Sequence, residues 1–346
     1  MTTDRIRVGI IGLGRSGWNI HAAGLAELDR FAVVAAADPV AERRAEAEER
    51  FGCTTYTKPD ELIGAADVEL VVVATPSHTH VPLAIAALEA GKHVVVEKPL
   101  AQSAAEVDLM VAAADKAGRV LTCFHNRRFD PELIAIREAI DSGRLGELFL
   151  IRRTLHRFAR RADWQTLRKL GGGELPNTAS HLLDQVLTLM DDHPIELFAD
   201  LRRTVSAGDA EDHVHLVLKP STGPTVEVES TSAVAIAQPD WLIAGTTGTL
   251  VSQANQLTLR WFDPATLPAL EADDGIAAGR KYGTGEQIDW QEETIELAAP
   301  GPERTLRYYE RLAATLRDGA DLYVTPASVR RQIELMERAR TQAGFH

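Results

Sequence analysis

Three groups of residues have types and spacings that could do chemistry. The first is Gly12-Leu13-Gly14-Arg15-Ser16-Gly17, a G-x-G-x-x-G turn. Gly12 permits a tight turn, Gly14 lets backbone approach a pyrophosphate, and Gly17 lets a helix pack closely on its strand. The helix N-terminus then offers free N–H groups and a positive dipole to phosphate oxygens, with Leu13, Arg15 and Ser16 on the turn itself. Asp38 follows Gly17 by twenty-one residues. An acid at that spacing accepts both ribose hydroxyls of NAD and repels the 2′-phosphate of NADP. A glycine turn beside a surface Asp would look similar. A strand before the turn, a helix after it and the acid at the right distance together favour a bound dinucleotide. Arg43 and Arg44 would suit NADP, although a solvent-facing place on a helix also explains both.

The second group is Thr75-Pro76-Ser77-His78-Thr79-His80 with Glu97-Lys98-Pro99. Each stretch follows a strand-like run. In open α/β sheets ligands bind beyond the carboxyl ends of the strands, which places Thr75, Glu97 and Lys98 at the crevice. A desolvated lysine beside a cationic ring has a lowered pKa, fit to exchange a proton with a carbonyl or alcohol oxygen. From position alone Lys98 also suits a strand-end cap. His78, His80 and His93 lack the Cys or acid partners a metal site needs, and no metal is expected.

The third group is Asn177, His181 and Asp184, one polar stripe of a helix predicted over 177–190, behind Gly171-Gly172-Gly173. A lone histidine beside an apolar stripe is as a rule a structural residue. Asp184, one turn on, is a candidate orienter for it. Just upstream, residues 152–169 hold seven cations against Asp163 alone. They suit a salt-bridged surface, or a substrate loop in which Arg157 meets an anion and Trp164 a sugar face. Tyr282 and Trp290 are further candidates for the same pocket.

The elements that must position these groups divide the chain in two. Strand-like runs at Ile6–Ile11, Phe31–Ala37, Val68–Ala74, His93–Val96 and Val120–Phe124 alternate with helical stretches, the pattern of a doubly wound parallel sheet. Beyond Phe124 one helix is followed by seven strand-like stretches between Glu147 and Trp261. Val214, Leu216 and Leu218 alternate with polar neighbours, as an antiparallel sheet with one dry face requires. Residues 263–300 read as loop, and Glu303–Arg317 and Pro326–Ala343 as closing helices. The expected architecture is α/β, with a Rossmann domain over 1–125 and an α+β domain over 126–346 built on a large, mostly antiparallel open sheet. The second domain would bind substrate and pair with other copies as a homodimer or homotetramer. The 346 residues carry a net charge of −13, a poor match for nucleic acid or an anionic membrane. Cys53 and Cys123 have no metal-type spacing. With no leader or membrane span legible, a cytoplasmic protein is expected.

The glycine turn, Thr75-Pro76 with His80, Ala90-Gly91-Lys92-His93 and above all Glu97-Lys98-Pro99 resemble the Gfo/Idh/MocA family, named for glucose–fructose oxidoreductase and inositol dehydrogenase. The resemblance covers essentially the whole chain. It implies an NAD(H)-dependent oxidoreductase acting on a secondary alcohol of a sugar, inositol or related polyol, with NADP the lesser alternative. It implies a cofactor site that includes Thr75, Pro76, His80, Glu97, Lys98 and Asn126, the last opening Asn126-Arg127-Arg128-Phe129 where the chain leaves the first domain. Lys98 would contact nicotinamide and the reacting oxygen. His181 matches the family's general base, and Asn177, a substrate contact, stands where the family has Asp. The family also holds NAD-dependent glycoside hydrolases and non-catalytic dinucleotide sensors. Lys98 and His181 argue against the sensor, while Asn177 leans mildly towards it.

Overall fold

A computed structural model describes residues 5–272 and 286–345. Tyr282 lies outside the described residues. The first sheet contains β1 (Ile6–Ile11), β2 (Phe31–Ala37), β3 (Thr54–Tyr56), β4 (Leu70–Val73), β5 (His93–Val96) and β6 (Leu121–Cys123). They lie in the order β3-β2-β1-β4-β5-β6, all parallel. Leu70, Val71, Val72 and Val73 are fully buried, as expected of a strand covered on both faces. The covering helices are α1 (Ala23–Ala26), entered through a π-helical turn at Gly17–Ala22, α2 (Ala41–Phe51), α3 (Pro59–Ile63), α4 (His80–Glu89) and α5 (Ala104–Ala117). Strand β3 and helix α3 escape a reading of hydrophobic pattern because they are three and five residues long, too short to show a period.

The second sheet contains β7 (Leu148–His156), β8 (Ile195–Arg202), β9 (His213–Pro220), β10 (Thr225–Thr231), β11 (Trp241–Gly245), β12 (Gly248–Gln253), β13 (Gln256–Trp261) and β14 (Gln291–Glu296). Their order is β14-β13-β12-β11-β7-β10-β9-β8, antiparallel except for the central β7–β10 pair. Strand β14 corrects the expectation of loop throughout 263–300. Its sequence, Gln-Glu-Glu-Thr-Ile-Glu, is too polar to read as a strand, and edge pairing with β13 makes it one. On the inner face Val214, Leu216, Leu218, Val226 and Val228 are buried against α6 (Pro131–Asp141), α7 (Ser180–Leu187) and α9 (Pro326–Ala343).

The last two helices bind the halves together. Tyr308, Tyr309, Leu312 and Ala313 of α8 (Glu303–Asp318) belong to the core of the first sheet. Helix α9 lies at the seam, with Val329 and Ile333 in the first core and Leu335, Met336 and Ala339 in the second. Arg128, just beyond β6, donates to both carboxylate oxygens of Asp184 on α7, at 2.9 and 2.6 Å, and to Ser328 on α9 at 3.0 Å. No described helix is long and apolar enough to cross a membrane.

Arg128 is buried, so removing it strands the Asp184 carboxylate in the interior. Arg128→Ala should lower unfolding free energy by about 3–5 kcal/mol in urea titrations. Arg152→Ala, which breaks a part-exposed pair with Glu227, should change it by less than about 1 kcal/mol.

Candidate active site

The glycine turn connects β1 to the Gly17–Ala22 turn. Gly12 has φ +92°, and a Cβ at Gly17 would fall 1.8 Å from the Gly12 carbonyl oxygen. A side chain at either position is therefore excluded, by backbone conformation at the first and by contact at the second. At Gly14 a Cβ would meet no atom within 4 Å. The space above the turn is open where a pyrophosphate would approach the backbone. Asp38, at the end of β2, accepts from Leu13 N at 2.8 Å through one carboxylate oxygen and from Val40 N at 2.9 Å through the other. It closes the turn and still leaves acceptor capacity for ribose hydroxyls. These residues fit a dinucleotide. Arg43 and Arg44 do not face away from this spot. Arg44 donates to the Asp38 carbonyl at 2.8 Å, and Arg43 stands 3.4 Å from the Asp38 carboxylate.

Glu97, at the exit of β5, is buried under the same turn. It accepts from the Ser16 hydroxyl, from His21 Nε2 at 3.1 Å and from the Lys98 backbone N–H at 3.0 Å. His21 Nδ1 lies 2.6 Å from the Tyr309 hydroxyl on α8. His21 Nε2 donates to Glu97, and this bond, with the Lys98 charge, holds the carboxylate pKa below the usual range despite its burial. Glu97 thus stiffens the cofactor turn from below. His80 needs a correction of a similar kind. It is 1% exposed, with its two ring nitrogens against the carbonyls of Pro99 and Thr75 at 2.8 and 2.9 Å. It clamps the two loops together, with both ring nitrogens taken up by these carbonyls. Thr75 is held through its hydroxyl by Thr79, Pro76 is exposed beside it, and the Arg15 side chain is exposed. His93 accepts from Val120 N and His78 is exposed, so the three histidines do not converge.

Lys98 reaches across the cleft between the sheets. Its Nζ donates to the Asn177 carbonyl at 2.7 Å and approaches the Asn177 Oδ1 at 3.4 Å. Burial lowers its pKa, Glu97 partly opposes this, and Arg127 and Arg15 add to the lowering. Asn177 lies in a π-helical turn, Leu175–Ala179, that runs directly into α7. The regular stripe expected over 177–190 is therefore broken between Asn177 and His181, and π-turns of this kind recur at functional sites. The Asn177 side chain forms a reciprocal amide pair with Gln165, 3.1 Å in each direction. Gln165 gave no signal in the sequence, since a single amide in a loop has no pattern to reveal it.

His181 is 8% exposed, and its Nδ1 is buried without a hydrogen-bond partner. Burial first, then repulsion from Arg127, Lys98, His125 and Arg304, drives its pKa well below 6.5. Asp184 is not its orienter, because Arg128 occupies both carboxylate oxygens. Between them stands His125, its ring edge-on to His181 at a centroid distance of 6.1 Å and its Nδ1 3.5 Å from Asp184. Asn126 opens the turn after β6 and is buried, its amide 3.5 Å from the Thr305 hydroxyl.

The basic stretch is mostly neutralised. Arg152 pairs with Glu227, Arg157 with Glu174 at 2.6 Å, Arg161 with Asp163 and Arg168 with Asp209. Arg157 is thus engaged by a buried acid and is not a free anion clamp. Trp164 is 48% exposed, next to Gln165, and Trp290 packs on Phe262 near β14.

The histidine environments make a pH prediction. In the folded chain His181 and His125 have pKa values lowered from 6.5 by burial, whereas in the unfolded chain they bind protons normally. The unfolded state then takes up more protons as pH drops through 6.5, so stability should be full above that value and fall as pH is lowered towards about 5. Denaturant titrations from pH 8 to pH 5 would read this. Histidine proton resonances in NMR should show His181 neutral at pH 6.5.

Two family profiles cover most of the chain. One, described as an oxidoreductase family with an NAD-binding Rossmann fold, matches residues 6–125, and the other, the GFO/IDH/MocA C-terminal domain, matches residues 133–251. YdgJ of Escherichia coli strain K12, named an uncharacterized oxidoreductase, is 32% identical over 72% of this chain and 71% of its own. IolW of Bacillus subtilis strain 168, named scyllo-inositol 2-dehydrogenase (NADP(+)), is 27% identical over 97% of this chain and 93% of its own. The structure of yvaA from Bacillus subtilis superposes with a TM-score of 0.83 at 24% identity, covering 99% of this chain and 97% of that one. With both profiles matched in order along the sequence, the chain belongs to the Gfo/Idh/MocA family of NAD-binding oxidoreductases.

Proposed function

We propose that this protein is an NAD(H)-dependent dehydrogenase that interconverts a secondary alcohol and a ketone on a sugar, inositol or related polyol. One observation carries the reading. Lys98, at the carboxyl end of β5, bonds across the cleft to Asn177, four residues before His181, so the segments that carry a lysine and a histidine of lowered pKa are joined beside the nucleotide crevice. When bound, the nicotinamide supplies the hydride acceptor or donor at C4. A neutral His181 takes the hydroxyl proton on its ring nitrogen as the carbinol carbon loses hydride, and returns it in the reverse direction. The Lys98 ammonium hydrogen-bonds the reacting oxygen and stabilises the negative charge that develops there. The low exposure of His181 excludes water that would compete for this proton. Asn177 and Gln165 line the substrate side, with Asn126 towards the nicotinamide and Trp164 at the outer edge.

NAD is the preferred cofactor in this reading, because Asp38, beside the glycine turn, keeps carboxylate acceptor capacity that suits ribose hydroxyls and would repel a 2′-phosphate. NADP is the second reading, favoured by Arg43 beside that carboxylate and by the name of IolW. We also propose that copies pair through the outer face of the second sheet, where Phe198 is 55% exposed. Light scattering should then give at least twice the chain mass of 37.7 kDa.

Absorbance of NADH in a panel of inositols, sugars and sugar alcohols tests the activity. Formation of NADH from none of them, with NAD bound, would overturn it. On the substrate so found, Lys98→Ala and His181→Ala should each lower kcat by about two to four orders of magnitude, while His181→Ala should leave NAD affinity within about threefold. Asp38→Ala should erode the preference for NAD over NADP, and equal affinities in the unaltered protein would refute that preference.

A further inference from the structure

The acids around the cleft are all engaged. Glu97 is bound by Ser16 and His21 under the cofactor turn. Asp130 accepts from Arg304 and Gln185, each at 3.2 Å. Glu174 is held by Arg157 and Ser230, Asp184 by Arg128, and Glu211 by the backbone N–H of Leu175. Four residues before His181 this chain has the neutral Asn177, and its amide is turned to Gln165.

Two cations are not balanced in the same way. The Lys98 ammonium meets only a carbonyl and an amide oxygen of Asn177. Arg127 sits in the turn Asn126–Phe129, whose backbone is fixed to the histidine helix by a bond from Gln185 to the Arg127 carbonyl at 3.1 Å. Among the described residues its guanidinium has no hydrogen bond or ion pair, whereas the adjacent Arg128 reaches Asp184, Ser328 and the Tyr323 carbonyl. The acid that attracts Arg127 most, Asp130, is already held by Arg304. Arg127 is also the strongest repelling charge on His181 and on Lys98. It is partly buried, so its charge is less well solvated than at the surface and an anionic ligand would complete it.

We propose that the substrate is an anion, a sugar or polyol bearing a carboxylate, with Arg127 as the partner of that carboxylate and Lys98 on the reacting oxygen. This rests on the dehydrogenase reading and narrows its substrate class. The planar fork of Arg127 matches a carboxylate bidentately. Asn177 fits the same logic, because an acid there would repel the incoming carboxylate and pair with Lys98. A local excess of positive charge in a chain of net charge −13 also favours an anion in the cleft.

Matched pairs of acid and neutral sugar test the proposal on the protein saturated with NAD: D-glucuronate against D-glucose, D-galacturonate against D-galactose, and D-gluconate against sorbitol, with binding read by calorimetry. In at least one pair the acid should bind about tenfold to a hundredfold tighter, the range of a charge-assisted hydrogen bond. Arg127→Gln should abolish that difference and Arg127→Lys should keep part of it, with NAD affinity unchanged in both. No acid binding, neutral partners binding as tightly as the acids, or acid affinity that survives Arg127→Gln would overturn it. So would a loss of NAD affinity in Arg127→Gln as large as the loss of acid affinity, because the anion would then be the cofactor's pyrophosphate. NADH formation from a neutral polyol without any preference for acids would sink this proposal and leave the dehydrogenase reading standing.

Discussion

The bidentate pair between Arg128 and Asp184 is the constraint on which the cleft depends. It ties the turn leaving the parallel sheet to the helix that carries His181, and through Ser328 and the Tyr323 carbonyl it draws in the chain around α9. Both charges are buried, so each holds the other in place. An Arg fork on two carboxylate oxygens also fixes direction as well as distance. The cost of desolvating such a pair makes it a poor source of net stability, and its contribution is a defined relation between the two sheets. Lys98 can then span from one to the other and meet the Asn177 carbonyl at 2.7 Å.

That pair also sets the electrostatics of the site. With Asp184 consumed by Arg128, no carboxylate reaches His181, and His125 fills the intervening space. Burial and surrounding cations then keep the His181 imidazole neutral, the state a proton acceptor needs. A separate buried chain, Tyr309 to His21 to Glu97 to Ser16, performs the matching task under the nucleotide turn. Helix α8, remote in sequence, stiffens the phosphate turn through it. The two networks meet at the Glu97-Lys98 step, where an acid held under the glycine turn and a lysine that reaches Asn177 are adjacent in the chain.

The sequence by itself determined the parts that depend on local order. Parallel strands buried on both faces must be runs of apolar residues, so β1, β2 and β5 were legible to the residue. The glycine turn was legible because sterics at Gly12 and Gly17 leave no alternative. Lys98 and His181 stand out only through motif resemblance, and the bonded link from Lys98 to Asn177 bridges the segments that carry them. Partner choice was not legible. Asp184 lies three residues from His181 and fifty-six from Arg128, yet it takes the arginine. The two carbonyls that His80 bridges lie on separate loops and are not predictable from its own neighbours in sequence. Strand β14 has no apolar pattern and is created by pairing with β13. These points were settled by packing between distant segments. A charged or polar side chain takes whichever partner the packing of distant segments brings within about 3 Å in a desolvated place, and neighbours in sequence carry no information about that geometry.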